Sequence, residues 1–70
     1  MSIEPKFEYK ILLTPFGSMQ TTHVVYATTY MLNNGRFVFL DGNLPPGKQI
    51  VANFPEKITT ILSITEYEKV

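Results

Sequence analysis

From Lys6 to Leu13 apolar and polar side chains alternate, with Phe7, Tyr9, Ile11 and Leu13 on one face and Lys6, Glu8 and Lys10 on the other. A period of two is the signature of a half-buried strand. Pro15-Phe16-Gly17-Ser18 follows, a cluster with the fixed φ, permissive φ and small polar side chain of a turn. The segment from Gln20 to Leu32 is rich in β-branched and aromatic residues, and its Thr21-Thr22 and Thr28-Thr29 pairs suit a pleated surface. It predicts one long strand, bent near Ala27. Asn34-Gly35 lies between this strand and Phe37-Val38-Phe39-Leu40 and is the strongest local signal, matching a type I′ turn with positive φ at both central residues. A two-residue loop pairs Asn33 with Arg36, Leu32 with Phe37 and Tyr30 with Phe39. Alternation then predicts Tyr26, Tyr30, Leu32, Phe37 and Phe39 on one face and Val25, Ala27, Met31, Val38 and Leu40 on the other. Neither face is plainly polar, so both want cover.

Asp41-Gly42-Asn43-Leu44-Pro45-Pro46-Gly47 is rich in chain breakers, and its adjacent prolines exclude it from a central ladder, so it reads as a connecting loop. Gln49 to Phe54 predicts a fourth strand with Ile50, Ala52 and Phe54 sharing a face opposite Val51 and Asn53. Pro55-Glu56-Lys57 predicts a tight turn or one 3₁₀ turn. The last strand runs from Ile58 to about Tyr67, with Ile58, Leu62 and Ile64 inward, and Glu66 to Val70 is expected to fray. Ala27 and Ala52 are the only alanines and no window reads as a helix. The expected fold is all-β, a five-stranded antiparallel meander forming either a small SH3-like or Sm-like barrel or a curled open sheet. Pairing with a second copy, as a homodimer or other homo-oligomer, is the alternative way to cover the apolar second face.

Length narrows this picture to a single small β domain over residues 1–70, since a chain of 70 residues has no spare core to divide. With no cysteine, neither disulfides nor thiolate metal sites can hold it. The early charges Glu4, Lys6, Glu8 and Lys10 leave no apolar run for a signal peptide, and the expectation is a cytoplasmic protein. Uninterrupted aliphatic or aromatic runs, such as Phe37 to Leu40, are too short to span a bilayer, which argues against a membrane role. Six basic residues balance six acidic ones, and Lys6, Lys10, Arg36, Lys48, Lys57 and Lys69 are scattered. Nucleic acid is therefore the less favoured partner, because phosphate binding rests on clustered cations.

Catalytic chemistry has little to draw on: one histidine, one aspartate, five glutamates and three serines. His23 has no second histidine or cysteine for a metal, so a plain strand residue is the better reading and no metal is expected. Ser18 or Ser63 with His23 and Asp41 would make a formal triad, but neither serine lies in a Gly-x-Ser-x-Gly turn. Asp41-Gly42-Asn43 lacks the later oxygen ligands of a calcium loop and reads as an Asx turn. Gly42 and Gly47 are not followed by Gly-Lys-Ser or Gly-Lys-Thr, so no phosphate loop and no cofactor are expected. The inventory points away from an enzyme.

An interaction surface remains. Phe16 and Met19 near the first turn, and Leu44, Pro45 and Pro46 in the long loop, are apolar residues in segments that belong at the surface. They either bind a partner or fold back to plug the ends of a barrel. Arg36, the only arginine, stands beside the Asn34-Gly35 tip and is the candidate charged anchor. The alternative is a single-stranded nucleic-acid or nucleotide surface made by Tyr26, Tyr30, Phe37 and Phe39, with Arg36 beside them. The same spacing of two is what a core produces, and the core reading is favoured.

Taken together, Gly35-Arg36-Phe37-Val38-Phe39-Leu40-Asp41-Gly42, Gln49-Ile50-Val51-Ala52-Asn53-Phe54-Pro55 and Ile61-Leu62-Ser63-Ile64 resemble the feature order of small β-domain proteins encoded by phages and prophages. The resemblance covers roughly residues 22–66 and departs at Leu44-Pro45-Pro46-Gly47. It implies a non-enzymatic protein-binding module, of the kind that inhibits or redirects a host protein or defence system in the host cytoplasm. It transfers no catalytic residue.

Overall fold

A computed structural model describes residues 5–17 and 19–67. The chain is all-β, with β1 (Lys6–Leu13), β2 (Thr21–Ala27), β3 (Thr29–Asn33), β4 (Arg36–Leu40), β5 (Ile50–Pro55), a 3₁₀ turn (Glu56–Ile58) and β6 (Thr59–Tyr67). These form two three-stranded antiparallel sheets in the orders β2-β1-β6 and β3-β4-β5. The predicted long strand exists as β2 and β3, broken at Thr28, so there are six strands where alternation suggests five. The curled open sheet is the form adopted, and the SH3-like or Sm-like barrel is not. Among the described residues β5 pairs only with β4 and β6 only with β1, so the outermost strands never join. Pro55 ends β5 without a backbone donor, and the 3₁₀ turn then carries the chain across to β1. Glu66 and Tyr67, expected to fray, continue β6 opposite Phe7 and Lys6, while residues 68–70 lie outside the described residues.

Between β2 and β3 the Thr28 N–H donates to the Leu40 carbonyl at 2.9 Å while Thr29 is the register partner of Leu40. Two residues thus oppose one, the arrangement of a β-bulge, and side-chain parity reverses across it. Val25 and Ala27 therefore face the same interior as Tyr30, Phe37 and Phe39, whereas Tyr26 points out of the other sheet beside its partner Glu8. Two more bulges act alike. Register passes from Phe39 opposite Ala52 to Leu40 opposite Ile50, skipping Val51 and turning Ile50 away from the face of Ala52 and Phe54. It passes from Lys10 opposite Ser63 to Ile11 opposite Ile61, skipping Leu62. Ile61 consequently packs on the core and Leu62, expected inward, is 52% exposed, whereas Ile64 keeps the expected face opposite Tyr9 and is 48% exposed on an edge strand.

The core sits where the sheets face each other. Tyr9, Ile11, Ala27 and Phe39 are its buried members, flanked by Phe7, Leu13, Val25, Phe37, Ala52, Phe54 and Ile61. Phe39 is fully buried, with ring centroids 5.0 Å from Tyr9, 5.6 Å from Tyr30 and 5.9 Å from Phe54. Its contacts with Tyr9 and Phe54 are edge-to-face, the geometry that the ring quadrupole favours. Aromatic rings fill the space between two small sheets that aliphatic side chains of this number would leave thin.

Candidate interaction surface

The β1–β2 connection holds the most exposed apolar side chains of the described residues. Phe16 is 98% and Met19 86% exposed, so neither folds back to plug an end of the molecule. The chain reverses there through Gly17 at φ 71°, a left-handed conformation that glycine adopts without a Cβ penalty. The base of the turn is fastened, because the Thr14 N–H donates to the Ile58 carbonyl at 2.8 Å. An exposed apolar tip thus stands on a fixed hairpin.

The β3–β4 hairpin turns as predicted, with Asn34 at φ 54° and Gly35 at φ 74°, and pairs Asn33 with Arg36, Leu32 with Phe37 and Tyr30 with Phe39. The Glu56 N–H donates to the Gly35 carbonyl at 2.8 Å, so this tip flanks the same 3₁₀ turn that receives Thr14. Arg36 is exposed, yet its Nε donates to Asn53 Oδ1 at 2.5 Å, which lays the guanidinium across β4 and β5.

Leu44, Pro45 and Pro46 lie elsewhere. Their loop is closed on itself by Leu44 N–H to the Asp41 carbonyl at 3.2 Å, Lys48 N–H to the Pro45 carbonyl at 3.0 Å and Gln49 Nε2 to the Leu44 carbonyl at 3.1 Å. Leu44 is 37% exposed and both prolines are exposed. Asp41, which starts this loop, pairs with Lys6 at one end of β1, whereas Phe16 and Met19 follow the other end. Eight residues at ~3.3 Å each separate the two by roughly 25 Å. The six predicted binding residues therefore form two surfaces, with Phe16, Met19 and Arg36 toward one end and the proline loop at the other.

The alternative aromatic surface is dispersed. Phe39 is in the core, Tyr30 and Phe37 share the inner face with centroids 6.1 Å apart, and the bulge at Thr28 sends Tyr26 to the opposite side. There the Tyr26 hydroxyl donates to Glu8 Oε2 at 3.1 Å and its ring lies 4.9 Å from that of Tyr67. The hydrogen bond to Glu8, reinforced by the carboxylate charge, raises the Tyr26 pKa above the ordinary phenol value. A carboxylate so close to the ring repels a phosphate chain.

Among the described residues, His23 and Asp41 do not converge: His23 is opposite Ile11 in β1, whereas Asp41 pairs with Lys6 at the start of that strand. His23 is exposed, its Nε2 lies 3.1 Å from Thr21 Oγ1, and its ring packs 6.0 Å from Phe54. Asp41 Oδ1 accepts the Asn43 N–H at 2.9 Å, the Asx turn expected, and Oδ2 takes Lys6. Ser18 lies outside the described residues. Among the described residues no three histidine, cysteine or acidic side chains gather as metal ligands, and no helix is long and apolar enough to cross a membrane.

The chain matches no protein-family model, no curated protein and no solved structure. One further surface is visible only in the fold. All five residues of β3 are exposed, including Tyr30 at 38%, Met31 at 48% and Leu32 at 53%. Sequence reasoning assigns Tyr30 and Leu32 to a covered face. The available clue is that Thr28 to Asn33 contains no charge and no proline, the devices that commonly guard an edge strand.

Proposed function

We propose that the protein is a non-enzymatic binding module that offers the Phe16 and Met19 tip to a protein partner. The supporting observation is the 98% exposure of Phe16 on a hairpin whose base is hydrogen-bonded to Ile58. Moving a phenylalanine from water into a partner's pocket gains about 2–3 kcal/mol, and aromatic anchors on rigid supports dominate many interfaces. Zero net charge and scattered cations favour a protein over nucleic acid. The resemblance to phage and prophage proteins supports a host protein as that partner, inhibited or redirected by being bound.

The test compares wild type with the double variant F16S/M19S as immobilised bait in host-cell lysate. A protein retained by wild type and reduced at least tenfold by the variant is the expected result, with circular dichroism unchanged. Retention of oligonucleotide in preference to protein overturns the reading, as does a protein partner indifferent to the variant.

A further inference from the structure

The four strands that edge the two sheets are not equally guarded. β5 contains the bulge at Val51 and ends in Pro55, while β6 contains the bulge at Leu62 and the charge of Glu66. β2 packs against β4 and β5 of the opposite sheet. β3, Thr-Tyr-Met-Leu-Asn, has no charge, no proline and no bulge within it, and among the described residues only β4 pairs with it. Such an edge is a template for another strand.

We propose that β3 pairs antiparallel with β3 of a second copy of this chain, about a two-fold axis at Met31. Backbone phase supports this register. In a two-residue hairpin the flanking residues, here Asn33 and Arg36, form a hydrogen-bonded pair, so Asn33, Met31 and Thr29 direct their backbone groups toward β4. Tyr30 and Leu32 consequently point their N–H and C=O groups out of the free edge. Antiparallel pairing centred on Met31 sets Tyr30 against Leu32 of the second copy, and Leu32 against its Tyr30, as hydrogen-bonded pairs. Met31 then meets the second Met31 as the closer, non-hydrogen-bonded pair.

Side chains agree with that phase. Each Tyr30 ring covers the other copy's half-exposed Leu32 on the inner face, the two Met31 side chains meet on the outer face, and polar Thr29 and Asn33 close both ends. The strand is complementary to itself, as a two-fold contact requires. Neutral net charge adds no long-range repulsion between copies. A five-residue contact is small beside the ~800 Å² per partner of standard interfaces, so the dimer is transient and concentration-dependent.

Sedimentation equilibrium from about 10 µM to about 1 mM, a range that spans the affinities of weak contacts, paired with amide hydrogen exchange over the same range, tests this. The apparent mass is expected to rise toward twofold, with exchange at Tyr30 and Leu32 slowing as concentration rises and exchange at Met31 unchanged. M31K, which sets two ammonium groups face to face on the axis, is expected to hold the chain monomeric. I50K alters a more exposed apolar residue, 62% exposed on β5, and is expected to dimerise like wild type. A monomer at 1 mM overturns the proposal, as does dimerisation that survives M31K or is lost in I50K. If M31K fails to fold, the wild-type exchange pattern decides, and protection that does not localise to Tyr30 and Leu32 overturns it. None of these outcomes bears on the Phe16 tip, which is at a different place in the fold.

Discussion

The Lys6 ammonium lies 2.8 Å from Oδ2 of Asp41, and the Asp41 side chain is only 3% exposed. This ion pair ties the first residue of β1 to the residue that follows β4, and so joins the two sheets at the end where the β2–β3 strand bends. The hydrogen bond from Lys6 holds the Asp41 pKa below its ordinary value against the opposing effect of burial, with the Asn43 N–H and the Lys6 charge adding to the lowering.

A carboxyl with a lowered folded-state pKa binds more protons in the unfolded chain, so its contribution is present above pH ~4 and is lost as pH falls through the folded value. Asp41→Asn can keep the acceptor for Asn43 but forfeits the ion pair. Lys6 is 38% exposed and can rehydrate, which lowers the expected loss to about 1–2 kcal/mol at pH 7. Urea denaturation at pH 7 and in strong acid checks this: the two proteins should differ at neutrality and converge in acid. A gap of the same size at both pH values would assign the loss to packing.

The elements that local chemistry determines are legible in the sequence, and the faces that depend on bulges are not. Asn34-Gly35 specifies its turn and register because both residues must take positive φ, and β1 alternates cleanly because its own pairing slips only where β6 carries the extra residue. At Thr28, Val51 and Leu62 one added residue reverses parity, and nothing in a run such as Val-Val-Tyr-Ala-Thr-Thr-Tyr or Ile-Val-Ala-Asn-Phe marks where that happens. Tyr26, Ile50 and Leu62 are misplaced by alternation for this one reason. The exposure of Phe16 and Met19 is equally absent from the sequence, since an apolar residue in a surface turn can plug an open end or project from it. In the fold both project, at 98% and 86% exposure.

Thr28 is the polar counterpart of the Lys6–Asp41 pair at the same corner. Buried at 8% exposure, its hydroxyl donates to the Leu40 carbonyl at 3.0 Å and accepts the Gly42 N–H at 2.9 Å, so one side chain fixes both the bulge and the exit of the long loop. Thr28→Val keeps the shape and removes both bonds, and is expected to cost about 1–3 kcal/mol. Thr28→Ser keeps the hydroxyl and loses one methyl, for a cost nearer ~1 kcal/mol. Chemical denaturation of the three proteins should rank them wild type, Ser, Val. A serine variant as unstable as the valine variant would show that methyl packing dominates the corner.

Tyr9 gives the alkaline side of the stability profile. Burial raises its pKa first and the charge of a nearby ionised Tyr30 second, their rings lying 5.6 Å apart. A raised folded-state pKa contributes stability that is fully present below the unfolded value near pH ~10 and disappears as pH rises through the folded one. Tyr9→Phe deletes the ionisable hydroxyl while keeping the ring against Phe39, so it should alter neutral stability by less than ~1 kcal/mol and flatten the loss of stability above pH ~10. Tyr26 also titrates high, but for a different reason, its exposed bond to Glu8. Tyr26→Phe should therefore remove a phenolate from the ultraviolet titration and, because its folded-state pKa is also raised, flatten the alkaline limb in the same direction but less than Tyr9→Phe, since its bond to Glu8 is screened by solvent. Denaturation curves at pH 8 and pH 11 (assay conditions on either side of the ordinary phenol pKa of about 10) separate the two: a Tyr26→Phe protein that gains alkaline resistance while Tyr9→Phe does not would place the sensitive phenol on the surface and not between the sheets.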